Sequence, residues 1–96
     1  MSADALRLEL KLKLAPKAKL RLDPKSGKCI LLYPEKGLLL NATGAAILRE
    51  CDGEHDLSAI IAVLAAEFHG DADVLRVEVL TFVQSLLDRG LLQVAP

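Results

Sequence analysis

At 96 residues, 52% of them hydrophobic, the chain suffices for one small domain and carries too much apolar side chain to be disordered. Aromatics are only 3%, with no Trp, so the core must be aliphatic, and a domain of this size leaves little room for a deep, dry catalytic pocket. The net charge of −1 divides into +5 over residues 1–36 and −6 over residues 37–96, with no block of five like charges, which gives two solvated faces or a polarised surface that orients a partner.

Leu6 to Leu14 alternates Leu with charged residues without a fault, and period two over that length predicts a strand with one leucine face. Pro16 interrupts, and Lys17–Asp23 alternates again through Ala18, Leu20 and Leu22. Asp23-Pro24-Lys25-Ser26-Gly27 is turn chemistry, since Pro presets φ and Gly accepts a positive one. Lys28–Tyr33 predicts the second strand of a small antiparallel sheet, stopped by Pro34, and Lys36–Leu40 a short third strand after a Pro34-Glu35 corner.

From Asn41 the apolar period changes to that of a helix. Asn41 or Thr43 caps a first helix through Ala45, Ala46, Ile47, Leu48 and Cys51, closed by Asp52-Gly53. Asp56 caps a second, with Leu57, Ile60, Ile61, Leu64, Ala65 and Phe68 on one face and Gly70 as its stop. Asp71 or Asp73 opens a third, running to about Arg89, with Leu75, Val79, Phe82, Val83 and Leu86 as its core stripe and Gly90 at its end. Leu91–Val94 reads as a short closing strand. The fold class is therefore α+β and winged-helix-like, a three-stranded antiparallel sheet followed by three helices.

Catalysis has poor material. His55 falls in a polar loop, and His69 at the end of the second helix suits the negative end of its dipole. Neither stands at a metal-ligand spacing, and Cys29 and Cys51 read as small core hydrophobes rather than a CxxC pair. Ser26, Ser58 and Ser85 lie in no nucleophile motif, and the glycines form no phosphate loop. No catalytic residue, metal or cofactor is expected. No apolar run reaches the ~18 residues of a membrane span, no signal peptide is read, because Arg7, Glu9, Lys11 and Lys13 break the start, and two free thiols suit the cytoplasm.

A winged-helix order raises a nucleic-acid-binding regulator as the alternative, and a structural dimerisation module as another. The third helix would be the recognition helix, yet it carries Asp71, Asp73, Glu78 and Asp88 against Arg76 and Arg89, and phosphates would repel it. Beside its core stripe run Val74, Val77, Thr81 and Ser85 at spacings of three and four. Either the two valines complete the core, or this flank and the third strand border a shallow groove in which an extended peptide adds to the sheet edge.

The run Leu31-Leu32-Tyr33-Pro34-Glu35-Lys36-Gly37-Leu38-Leu39-Leu40-Asn41, then Ala45-Ala46-Ile47-Leu48 and Cys51-Asp52-Gly53, resembles the PqqD family of pyrroloquinoline quinone (PQQ) biosynthesis. Ile60-Ile61, Leu64, Phe68 and Leu87-Asp88-Arg89-Gly90-Leu91-Leu92 fit the same pattern, which runs from about Pro16 to Val94. The resemblance implies a peptide-binding domain over residues 16–96; the pattern leaves residues 1–15 unexplained, and their leucine alternation reads as an extra N-terminal strand or arm. It implies a non-catalytic peptide chaperone, a recognition element of ribosomally made, modified peptides (RiPPs), that binds the precursor peptide PqqA and presents it to the radical-SAM enzyme PqqE. Related elements bind leader peptide as an added strand between the third strand and third helix. The expected contact residues here are Lys36, Gly37, Leu38, Leu39, Leu40, Asn41, Val74, Val77, Glu78, Thr81 and Ser85. The leucine-rich arm can pair within its own sheet, or exchange between two chains to give a homodimer through the Pro16 hinge.

Overall fold

The computed structural model describes residues 7–34 and 36–95. In chain order it has β1 (Lys11–Leu14), β2 (Lys19–Leu22), β3 (Cys29–Tyr33), β4 (Lys36–Leu39), α1 (Ala42–Arg49), β5 (Asp52–Asp56), α2 (Leu57–Phe68), α3 (Ala72–Asp88) and β6 (Leu92–Val94). The α+β class and the three helices are as the periodicity requires. The strands, however, form two antiparallel sheets of three, β2-β3-β4 and β5-β1-β6. Leu6 and the Glu35 half of the expected corner lie outside the described residues.

β2-β3-β4 is a meander. The Asp23–Gly27 turn forms as its residues demand: the Gly27 N–H donates to the Asp23 carbonyl at 2.8 Å, and the Asp23 carboxylate accepts from the Lys25 N–H at 3.1 Å and the Ser26 hydroxyl at 2.8 Å. Leu31 of the middle strand is fully buried and Leu40, just past β4, nearly so.

The second sheet is built round β1, with β5 on one side and β6 on the other. The expected strand from Leu6 is shorter than its alternation suggests, since Leu8 and Glu9 form a turn, with the Leu10 N–H donating to the Arg7 carbonyl at 3.1 Å. The reason lies at the start of α2, whose first amides have no partner within the helix. The Leu57 N–H donates to the Leu10 carbonyl at 3.0 Å and the Ser58 N–H to the Leu8 carbonyl at 2.9 Å, which bends this stretch away from a ladder. The leucines keep their shared face: Leu12 is wholly buried, and Leu8, Leu10 and Leu14 pack against the same core.

β5 corrects the expectation of a helix closure followed by a polar loop. Lys11 pairs with Asp56 and Lys13 with Asp52, so Leu12 stands opposite Gly53, Glu54 and His55 in a bulge. Gly53 takes φ +84, which a side chain would oppose, and the Asp52 carboxylate accepts from the Glu54 N–H at 2.9 Å and the His55 N–H at 3.1 Å.

Each helix begins on an expected cap: the side-chain oxygens of Asn41, Asp56 and Asp71 accept from the amides of Gly44, Ala59 and Asp73 at 2.7–2.8 Å. The stop of α2 is displaced by one residue, because His69 rather than Gly70 takes the left-handed backbone, at φ 52. Gly70 is held small for another reason, since a Cβ there would stand 3.2 Å from Leu75 Cδ1. In α3 the inward stripe is Leu75, Val79, Leu80, Val83 and Leu86; Leu80 takes the core place expected of Phe82, which is half-buried. Cys51 is buried and Cys29 half-buried, both as free thiols within or against the core. No helix among the described residues is long and apolar enough to cross a membrane.

Candidate functional site

Among the described residues β4 has a partner on one side only, β3. The Leu40 N–H donates to the Cys29 carbonyl at 2.9 Å. Antiparallel pairs alternate between bonded and non-bonded residues, so Leu38 and Lys36 also bond towards β3 while the backbone groups of Gly37 and Leu39 point outward. These two residues form an open edge. Alternation also sends Leu38 and Leu40 to the core face and leaves the Leu39 side chain on the outer face, 57% exposed.

Where β4 ends, the chain enters α1, and a concavity of about 560 Å³ opens between the start of α1 and one flank of α3. Asn41, Thr43, Gly44 and Ile47 form one wall; Val77, Glu78, Thr81, Phe82 and Ser85 form the other. Phe82 is the floor. A Cβ on Gly44 would meet Phe82 Cζ at 3.3 Å and the Asn41 carboxamide oxygen at 3.2 Å, so glycine here lets the ring lie close against α1. The Asn41 oxygen is already committed to its cap, which leaves its amide nitrogen for a visitor. Glu78 is the one ionisable side chain among the lining residues.

Of the residues singled out from sequence, Asn41, Val77, Glu78, Thr81 and Ser85 meet in this concavity. Gly37, Leu38, Leu39 and Leu40 belong to the adjoining strand and its end rather than to the wall, as does the backbone of Lys36. Val74 stands exposed on α3 outside the concavity, and Val77 is 64% exposed, so neither valine completes the core. The opposite wall, from Thr43, Gly44 and Ile47, was not anticipated, because a helical run of small and apolar residues reads as core. The signal was Gly44 itself, a poor helix former placed one turn after a cap.

Away from the concavity, one cluster of titratable groups lies beside the β5 bulge. The His55 Nδ1 lies 2.9 Å from Asp52 Oδ2 and 3.6 Å from Glu50 Oε2, in a half-exposed cluster beside the bulge. Burial, with Asp52 and Glu50 adding to it, pushes the Cys51 thiol up to about 12, so it stays protonated and unreactive. Among the described residues no three His, Cys, Asp or Glu side chains are grouped to hold a metal ion.

Residues 28–92 match the family described as coenzyme PQQ synthesis protein D, PqqD. A Methylococcus capsulatus protein named PqqA binding protein is 33% identical over 86 residues, 90% of each chain. A protein of the same name from Rhizobium meliloti is 35% identical over 82 residues, covering 85% of this chain and 84% of that one. The solution NMR structure of the PqqD truncation of Methylobacterium extorquens PqqCD, described as a functional, stand-alone RiPP recognition element, superposes with a TM-score of 0.78 at 24% identity, over 97% of this chain and 99% of that one.

Proposed function

The chain belongs to the PqqD family, and on that premise we propose that it is a non-catalytic peptide chaperone of PQQ biosynthesis. It binds the precursor peptide PqqA as an extra strand on β4 and presents it to the radical-SAM enzyme PqqE in the cytoplasm. The observation that carries this reading is the open edge at Gly37 and Leu39, on the strand whose chain continues through Leu40 to Asn41 in the wall of the α1–α3 concavity. Backbone bonds to that edge give affinity, and alternate side chains of the added strand, on the face shared with Leu38 and Leu40, enter the concavity. Residues 16–96 supply the contacts, and β1 supports them from the second sheet. A chaperone without chemistry helps its enzyme by raising the local concentration of substrate. β1 pairs within its own chain, between β5 and β6, and a homodimer by exchange of β1 about the Pro16 hinge would have to remake those pairings between two chains.

Fluorescence anisotropy with labelled PqqA peptide and, in parallel, labelled duplex DNA tests the proposal. Saturable binding is expected for the peptide alone, and Val77→Asp should weaken it about tenfold or more by placing an unpaired charge in an apolar contact. Binding to DNA without binding to peptide would overturn the reading. For presentation, cross-linking of PqqA by PqqE should slow when the chain is left out; an unchanged rate would remove that role.

A further inference from the structure

We infer that Glu78 makes the concavity selective for a peptide that carries a Lys or Arg two residues from an apolar anchor, an inference that rests on strand addition to β4. The apolar part of the lining is Ile47, Val77 and Phe82, and Gly44 gives the Phe82 ring its close seat. The hydroxyls of Thr81 and Ser85 are neutral, so among the described lining residues Glu78 is the one that carries a charge. Glu78 and Phe82 are one helical turn apart, about 6 Å along α3. Side chains on one face of an extended peptide repeat every two residues, about 6.7 Å. The two spacings match. A peptide laid along α3 with an apolar side chain over Phe82 therefore brings the side chain two positions away over Glu78, in either chain direction. Covering the groove removes water from that carboxylate, and an ion partner compensates where a neutral residue leaves it unpaired and an acidic one repels it.

Isothermal titration of the whole chain with PqqA peptide, and with versions in which each Lys or Arg is changed singly to Glu, tests this. One reversal, two residues from an apolar position, should weaken binding to the wild-type chain about five- to tenfold. Glu78→Lys should weaken binding of the unmodified peptide by a similar factor and restore binding of that one reversed peptide. Glu78→Gln should give an intermediate loss with no rescue. Glu78 is exposed, so these variants fold as the parent does, and far-UV circular dichroism checks it. Equal affinities for the parent and Glu78→Lys, with Val77→Asp still damaging, would overturn the selectivity and leave peptide binding standing. No binding of PqqA by the parent would overturn both.

Discussion

The Asp52 carboxylate ties down the bulge of β5 by accepting two backbone amides and facing the His55 ring. The Glu54 amide first, and then His55, holds Asp52 down at about 2, against an ordinary 3.8. The Asp52 hydrogen bond and then its charge raise His55 above its ordinary 6.5. The raised histidine contributes fully below pH 6.5 and loses its contribution as pH climbs through its folded value. The lowered carboxylate contributes fully above pH 3.8 and loses its share as pH falls towards about 2. Both act together between roughly pH 4 and 6.5. In thermal melts the Tm difference between the parent and His55→Gln should be largest in that window and shrink on the alkaline side; a difference that does not vary with pH would deny the pairing. At His69 the left-handed backbone costs a residue with a Cβ about 1 kcal/mol, so His69→Gly should stabilise the fold by about 0.5–1 kcal/mol, read as a higher urea midpoint. A lowered midpoint would mean that the imidazole holds the turn. Caps were legible at this scale because Asn and Asp are chosen for what they do to the next turn, whereas the need for a small residue at Gly70 comes from its packing against Leu75, which the local pattern does not show.

Among the elements, β1 carries more than its length suggests. It is the middle strand of its sheet, Leu12 is wholly buried, and the segment before it satisfies the first amides of α2. Leu12→Ala should therefore cost about 2–5 kcal/mol in chemical denaturation, the range for a buried leucine that leaves a cavity. A loss below about 1 kcal/mol would show that the sheet collapses to fill the gap, as a loosely held arm would. The leucine alternation of this strand was plain in the sequence. β5 was not, for Asp-Gly-Glu-His-Asp has neither alternation nor apolar content, and β1 and a glycine bulge impose its extended form from outside. The groove was half legible for a similar reason. The flank of α3 shows as a second stripe at helical spacing, while the wall from α1 depends on how two helices approach across Gly44 and Phe82.

Across the described residues the two sheets and three helices share one aliphatic core, and the outer edge of β4 leads to the α1–α3 groove at the β4–α1 junction. Basic residues gather on β1, β2 and β4, whereas β5 and α3 carry mostly acidic ones, so α3 meets a partner with a carboxylate, which suits a peptide better than a phosphate backbone. That arrangement makes the outward amides of Gly37 and Leu39 the most direct reporters of the proposed binding mode. A nitrogen-15 NMR titration with PqqA peptide, followed by amide hydrogen exchange of the complex, reads them individually. Strand addition requires their signals to move with those of Gly44, Val77, Glu78 and Thr81, and their exchange to slow once the peptide is bound. Shifts gathered on α2 and β6, with exchange at Gly37 and Leu39 unchanged, would contradict it.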